Sequence, residues 1–302
     1  MRYLAKEIDT MDIVITYVDG NDPVWKKDYE KYTEVPVMEK RFRDWGTLKY
    51  LLRGIEVNMP FIRNVFLVVS HPSQVPEWVD QSNLRIVLHR DIIPSEHLPA
   101  FNSTLIEMHL HRIEGLDEEY LYFNDDLFPL KECRPEDFFR EGKGVLGFSR
   151  HFWCSGMFRR ICRNSDRYAR KALGMPSSAF FLRPQHTCTP MFRSECARLY
   201  ADLEDDIVKS LSRIRNQDNL SQYLFLDYQY YKGRIIPERI SNKHYSVALA
   251  TPDKLKSFIM NPTRKIMCVN DVRLSEKRFE ALRETIIEAF ELRFPSKSRF
   301  ER

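Results

Sequence analysis

The fold is decided by residues 12–18, which read DIVITYV, and by the segment DGNDP that follows at residues 19–23. β-Branched residues dominate the first segment, which is typical of a buried strand. The second segment holds the residues that favour turns. Together they predict the first strand of a parallel sheet that ends in a carboxylate-rich turn, where ligands of such sheets bind.

Strand and helix patterns alternate along the rest of the first half. They predict a helix at 47–56, strands at 65–69 and 84–88, a helix that begins at 102–103 and a strand at 120–123. This order predicts an α/β fold, with a Rossmann-like, mainly parallel sheet and helices on both faces. The second half is more helical, with helical patterns at 157–172 and before Pro295, and we expect the tail at 296–302 to fray.

Composition limits the class of protein. The 302 residues are 43% hydrophobic and 30% charged, which is typical of a folded globular chain. The net charge of +4 is too small to predict nucleic-acid binding. The six cysteines show neither zinc-site nor disulfide-scaffold spacing, so we expect reduced thiols. Since the apolar runs fall short of the ~20 residues that span a bilayer, we expect a cytoplasmic protein, at most at the inner face of the membrane.

Oxygen-bearing side chains follow two apolar segments. Asn124, Asp125 and Asp126 come directly after the strand at 120–123, and Asn270 with Asp271 follow a second apolar stretch. Hard divalent cations such as Mg²⁺ or Mn²⁺ prefer such ligands and often share them with substrate phosphates. The alternative is that both are ordinary turns, because asparagine and aspartate favour turns. The same choice applies to Asp19–Asp22, which is either a nucleoside contact or a tight turn.

Basic residues and histidines provide the other candidates. Arg41 and Arg43 precede a helix, where they either bind phosphate or lie in a solvated loop. His186 lies in a proline-bounded polar loop, and a histidine there can act as a general base. Glu107 and His111 stand four residues apart on one predicted helix face, as either a structural pair or a site.

The helix predicted at 157–172 is strongly amphipathic. Its spacing places four arginines in one stripe, with the apolar residues opposite: Arg159, Arg163, Arg167 and Arg170. Either the stripe is merely solvated, or the basic segment 159–171 meets an anionic acceptor or the acidic lipids of a membrane surface.

In this order, the motifs resemble the Stealth family of hexose-1-phosphoryl transferases. That family includes bacterial capsular polysaccharide phosphotransferases and the catalytic subunit of the animal lysosomal-enzyme GlcNAc-1-phosphotransferase. The resemblance covers residues 11–130 and is carried by the segments 11–23, 41–56, 65–69, 75–78, 98–103 and 122–126. Shorter matches follow at His186 with Pro190, at Arg215 with Asp218, and at 268–271.

The resemblance implies a GT-A-type fold and a reaction. A UDP-sugar donor would give its whole sugar-1-phosphate to a hydroxyl of a glycan or polysaccharide acceptor, and UMP would leave. The metal, Mg²⁺ or Mn²⁺, would be held by Asp126, Asn270 and Asp271. The residues expected to be catalytic are His186, Arg215, Asp125 and Arg43. Those expected to bind the donor are Asp19, Gly20, Asp22, Arg41 and Asn102.

We expect a single catalytic domain over residues 1–302. Residues 11–130 would form its nucleotide-sugar-binding part, and 131–302 a helical part that completes the site. Two alternatives stay open: a metal-dependent GT-A-type glycosyltransferase that releases UDP, and a glycan- or nucleotide-binding module without activity. The combination of carboxylates, arginine and histidine argues against the module, because a binder needs no base.

Overall fold

The computed structural model describes residues 10–34, 42–247, 249–270 and 274–302. In chain order, its strands are β1 (Met11–Thr16), β2 (Ile62–Val69), β3 (Arg85–Leu88), β4 (Glu119–Asn124), β5 (Leu127–Pro129), β6 (Phe139–Arg140), β7 (Lys143–Val145), β8 (Phe148–His151), β9 (Phe181–Pro184), β10 (Thr189–Phe192), β11 (Ile235–Ile236), β12 (Asn242–Ser246) and β13 (Ile266–Asn270). Its helices are α1 (Pro23–Tyr32), α2 (Leu48–Asn58), α3 (His89–Ile92), α4 (Ser103–Glu107), α5 (Met157–Ala172), α6 (Arg193–Asp202), α7 (Glu204–Ser210), α8 (Tyr223–Tyr231), α9 (Pro252–Met260) and α10 (Glu276–Arg293).

The central sheet has five strands in the order β10-β4-β1-β2-β3. Strands β1 to β4 are parallel, and β10 runs antiparallel at one edge. The chain builds outward from β1 to β3 and then returns to the other side of β1 to form β4. The direction of winding therefore reverses between β1 and β4, which is where open α/β sheets bind their ligands. The predicted mainly parallel α/β sheet is confirmed.

Both faces of the central sheet are covered. Ile13, Val14 and Ile15 are fully buried, although successive side chains of a strand point to opposite faces. Helix α2 supplies part of this cover, because Leu51, Leu52 and Ile55 are buried at helical spacing. One hydrophobic cluster contains buried side chains from Met11 to Phe300, and Trp25, Tyr29 and Phe101 form a second, smaller one.

A smaller sheet joins the two halves of the chain beside the central one. Its order is β12-β13-β5, with β12 parallel and β5 antiparallel to β13. Because β5 follows β4 after a two-residue turn, that turn lies next to β13, and Val269 donates its backbone N–H to the carbonyl of Asp126 at 2.9 Å. The chain after β5 also forms two further small sheets, β11-β7-β6 and β8-β9.

Helix α5 has the predicted bounds, but its exposed basic stripe differs from the predicted one. The exposed cations lie at Arg160, Arg163, Arg167 and Lys171. Arg170 is mostly buried instead, because it pairs with Asp166 at 2.8 Å and donates to the Tyr231 hydroxyl at 2.6 Å. Arg159 is half-buried. The helix faces the core at a rotation that the spacing of arginines alone did not reveal.

The tail at 296–302 is packed into the fold, so the prediction that it frays is wrong. Phe300 is fully buried, and Glu301 forms two 2.8 Å hydrogen bonds with the guanidinium of Arg53 in α2. Backbone bonds join Phe300 to Asp80 and Arg302 to Trp78. The local sequence is polar, and tertiary contacts alone order it.

In the part of the chain that the structure describes, no helix is both long and apolar enough to cross a membrane. All six cysteines lie in that part and are free thiols.

Candidate active site

A cleft of about 610 Å³ opens at the carboxyl ends of β1 and β4. Its size is typical of a small-molecule site. It is lined by seven of the residues predicted from the sequence: Arg43, Asn102, Asp125, Asp126, His186, Arg215 and Asn270. Two others, Arg41 and Asp271, lie outside the described residues. Residues separated by more than two hundred positions therefore meet where the winding of the sheet reverses.

The turn between β4 and β5 places carboxylates in the cleft. Burial, followed by the charges of Asp126 and Asp44, raises the pKa of Asp125 to about 8. The Oδ1 atom of Asp126 is buried and has no hydrogen-bond partner among the described residues. Two adjacent carboxyl groups and an unsatisfied oxygen fit a divalent cation, and Asn270 at the end of β13 adds an amide oxygen to the same wall.

Asp44 is a further acidic residue of the cleft that was not a candidate from the sequence, where it is only a plausible start of the helix at 47–56. It accepts a hydrogen bond from the Gly46 backbone at 2.9 Å and lines the cleft beside Tyr17. Burial raises its pKa. Its position directly after the motif of Arg41 and Arg43 is the signal that could have identified it.

His186 stands against the acidic turn. Its Nε2 atom lies 3.8 Å from Oδ2 of Asp126. Burial lowers the pKa of His186, but the neighbouring carboxylate of Asp126 outweighs it, so this pKa lies above the ordinary value. Asn242 on β12 holds the loop by donating to the His186 carbonyl at 2.7 Å. A histidine next to a carboxylate is suited to take up a proton.

Arg215 also lines the cleft. It donates to the Ser103 hydroxyl and, at 3.4 Å, to Oδ1 of Asn102. Its charge acts on the buried carboxylate of Glu107, whose pKa burial raises and Arg215 lowers in part. The Glu107 Oε2 atom accepts from the Gln222 backbone at 3.1 Å. Glu107 therefore lines the site and fixes the segment after Arg215.

The predicted pairing of Glu107 with His111 on one helix face is wrong. Helix α4 ends at Glu107, and a separate single turn of 3-10 helix carries His111. The His111 ring packs against Tyr200 and Phe225 instead, at centroid distances of 5.2 and 6.2 Å. Only Glu107 belongs to the cleft.

Asn102 has a positioning role. It caps α4 by accepting from the Thr104 backbone at 3.1 Å, and its amide donates to the Ser212 carbonyl and to Asn219 at 2.9 and 3.0 Å. These bonds tie α4 to the loop that carries Arg215. Its contact with a donor stays a prediction.

The turn at 19–23 lies beside the cleft and does not line it. Asp22 caps α1 by accepting from the Trp25 backbone at 2.7 Å, and Asp19 accepts from the Asn21 backbone at 2.8 Å. The backbone of Gly20 donates to the Phe42 carbonyl at 2.7 Å, an approach so close that a side chain at Gly20 would collide with it. This turn supports the segment that carries Arg43 and Asp44. Donor binding by these three residues stays a prediction.

Arg43 projects into the cleft from that segment. Its guanidinium stacks on the Phe279 ring of α10, 4.2 Å from the ring centroid. A planar, permanently charged group held in this way suits phosphate recognition.

Known proteins match this chain over nearly its whole length. The family model for conserved region 2 of Stealth proteins matches residues 41–146. The capsular polysaccharide phosphotransferase WcwK of Streptococcus pneumoniae is 30% identical, over 97% of this chain and the full length of the relative. The receptor polysaccharide phosphotransferase WefC of Streptococcus oralis is also 30% identical, over the same shares. Among solved structures, the galactosyltransferase LgtC in complex with donor and acceptor sugar analogues is 13% identical, with a TM-score of 0.43 over 96% of this chain and 98% of that one.

These relatives, together with the α/β sheet and its polar cleft, define the chain as a transferase. The chain belongs to the Stealth family, as the motifs at 11–130 predicted.

Proposed function

We propose that this enzyme transfers a sugar-1-phosphate from a UDP-sugar to a hydroxyl of a polysaccharide acceptor, in the synthesis of a capsular or other cell-surface polysaccharide. The observation that carries the proposal is the meeting of Asp125, Asp126, His186, Arg43 and Arg215 on one cleft. Phosphoryl transfer requires a base for the incoming hydroxyl and positive charge for the phosphoryl oxygens. The names of the relatives agree with a phosphotransferase.

The acceptor hydroxyl attacks the phosphorus that bears the sugar. Neutral His186 takes the hydroxyl proton, and the carboxylate 3.8 Å away at Asp126 stabilises the imidazolium that forms. The new oxygen–phosphorus bond replaces the bond to the bridging oxygen, which leaves with UMP. Arg215 and Arg43 neutralise the phosphoryl oxygens during this displacement.

The residues also fit a divalent cation. Asp126, Asn270 and the neighbouring Asp125 are oxygen donors, the kind that Mg²⁺ or Mn²⁺ prefers, and the unpartnered Oδ1 of Asp126 is available to it. When bound, the cation would offset the charge of the diphosphate. Asp271, for which the same role is proposed, lies outside the described residues.

The acceptor surface is proposed to continue from the cleft along α5. Met157, Phe158 and Ile161 at the start of this helix line the cleft, and the exposed basic stripe (Arg160, Arg163, Arg167 and Lys171) runs on from there. A polysaccharide made by this reaction carries phosphodiesters, which such a stripe attracts. The same stripe would hold the enzyme at an acidic inner membrane face, in keeping with the cytoplasmic location proposed for it.

The test is to identify the product nucleotide. The protein is incubated with a panel of UDP-sugars, Mg²⁺ or Mn²⁺ and candidate glycans, and nucleotides are separated by chromatography. Release of UMP, with a phosphodiester signal in the phosphorus-31 spectrum of the glycan, supports the proposal. Release of UDP with a new glycosidic bond would establish a glycosyltransferase instead.

A further inference from the structure

A second group of metal-binding side chains adjoins the acidic turn. His186, His244 and Cys268 each place one ligand atom within 4.8 Å of the others. Asp126 adjoins the group, because its Oδ2 lies 3.5 Å from Sγ of Cys268 and 3.8 Å from Nε2 of His186. A thiol and two imidazoles thus lie close together, and a carboxylate oxygen lies beside two of the three.

The two spacings at Asp126 suit a tetrahedral ion. Bonds of about 2.3 Å to sulfur and 2.0–2.2 Å to nitrogen and oxygen separate the ligand atoms of a tetrahedral zinc site by roughly 3.3–3.6 Å. The two separations measured at Asp126, 3.5 and 3.8 Å, are close to this range. Thiol and imidazole ligands favour Zn²⁺ over Mg²⁺, which prefers oxygen donors.

The framework behind these residues is regular. His244 and Cys268 are direct register partners on the parallel strands β12 and β13, so their side chains leave the same face of the sheet. On its other side Cys268 pairs with Leu127, the residue after Asp126. The loop of His186 is tied to β12 by the hydrogen bond from Asn242. Sites built on strands hold their side chains more precisely than sites built on loops.

We propose that His186, His244, Cys268 and Asp126 form a binding site for a thiophilic divalent cation, Zn²⁺, and that its occupation inhibits the transferase. Inhibition follows because Zn²⁺ would engage His186, the base, and Asp126, a ligand of the activating cation. The inhibitory half of this inference rests on the proposed function. The binding half does not, since it depends on the four side chains alone.

Binding is measured first, with Zn²⁺ alone as the probe, in competition with a chromophoric chelator. We expect Cys268→Ala and His244→Ala each to weaken Zn²⁺ binding about tenfold or more, because each loses a ligand. The matched controls are Cys154→Ala and His151→Ala, which change the same residue types outside the group. Cys268→Ser and a thermal unfolding curve for each variant guard against loss of the fold. Co²⁺ bound to the wild type should show thiolate-to-cobalt charge transfer, and Cys268→Ser should lose that absorption.

Equal Zn²⁺ affinity in the wild type and in folded Cys268→Ala and His244→Ala would overturn the site. Inhibition is then measured as the ratio of UMP release with and without Zn²⁺ in each protein. If Zn²⁺ still suppresses UMP release in His244→Ala as strongly as in the wild type, binding at this site does not cause the inhibition. The inhibitory role would then be overturned, while the binding site would stand. Failure of the proposed function can be told apart from failure of this inference. In that case no UMP would appear even without Zn²⁺, while the Zn²⁺-binding and cobalt measurements would still test the site.

Discussion

Asp126 combines a buried oxygen without a hydrogen-bond partner among the described residues with a second oxygen 3.8 Å from His186. We expect Asp126→Asn to lower UMP release about a thousandfold or more, because one charged ligand of the cation is lost. The fold should persist, since Asp126 joins β13 through its backbone carbonyl. Asp205→Asn, on the exposed face of α7, is the control. Near-normal turnover of Asp126→Asn at every metal concentration would contradict the assignment.

The titration of His186 tests the same contact without any substrate. Because the carboxylate of Asp126 favours the protonated ring, the pKa of His186 lies above its ordinary value, and the neutral, basic form accumulates only as the pH rises through that pKa. Removing the charge with Asp126→Asn should lower the pKa of His186, as followed by NMR in metal-free protein. His151, whose pKa is lowered by burial and by Arg183, should titrate identically in both proteins. An unchanged His186 titration would show that the two side chains do not interact.

At the scale of single elements, α2 lies so close to β5 that only glycine fits at the contact. A Cβ at Gly54 would lie 2.7 Å from the carbonyl oxygen of Pro129. At an uncrowded helix position, replacing glycine with alanine stabilises a protein by about 1 kcal/mol. Overpacking against the backbone destabilises it by about 1–3 kcal/mol. We therefore expect Gly54→Ala to lower the free energy of unfolding in denaturant titrations. Val57→Ala on the same helix, at a side chain 62% exposed, should change it by less than about 0.5 kcal/mol. Stabilisation by Gly54→Ala would show that the contact is looser than the structure has it.

Helix α5 presents Arg163 and Arg167 to solvent. We expect the double change Arg163→Glu with Arg167→Glu to weaken acceptor use or binding to acidic liposomes, with little effect on hydrolysis of the donor. The effect should shrink as salt rises, because exposed charges are screened over ~10 Å at 0.1 M. Lys254→Glu with Lys277→Glu makes the same change of charge on α9 and α10 and serves as the control. If acceptor kinetics and liposome binding both stay unchanged at low salt, the stripe is only a solvated face.

At the scale of the whole molecule, the buried pair of Arg53 and Glu301 joins α2 to the tail. Burial raises the pKa of Glu301. The hydrogen bonds that Arg53 and Ser298 donate to its carboxylate outweigh burial, so the pKa lies below its ordinary value. A carboxylate with a depressed pKa stabilises the fold above its unfolded pKa, and this contribution is lost as the pH falls through the folded value.

We therefore expect Glu301→Gln to cost about 3–5 kcal/mol of unfolding free energy at neutral pH, because Arg53 would remain buried without its main partner. Denaturant titrations should show the gap between variant and wild type closing below about pH 4. Glu291→Gln is the matched control on the same arginine, and its half-exposed carboxylate should contribute at most about 1 kcal/mol. A gap that does not depend on pH would show that the ion pair is not the source of stability.

Much of the secondary structure could be predicted, because its signals are local. Helical spacing predicted a helix at 47–56, and α2 occupies Leu48–Asn58. The strand predicted at 120–123 lies within β4, and α5 has the predicted bounds. The outward face of α5 and the order of the tail were mispredicted, because Arg170 and Glu301 are buried by partners distant in sequence, Tyr231 and Arg53.

The sequence by itself determined the family, the α/β class and the chemistry available to the site, since strand pattern and motif residues such as Asp126, His186 and Arg215 are properties of short segments. Only the tertiary structure decided which of them meet. It brought Asp44, Glu107 and His244 to the cleft or its edge, and it gave the turn at 19–23 local supporting contacts. The physical reason is that strand order and register set these distances. His244 and Cys268 become neighbours through the pairing of β12 with β13, which neither segment encodes alone.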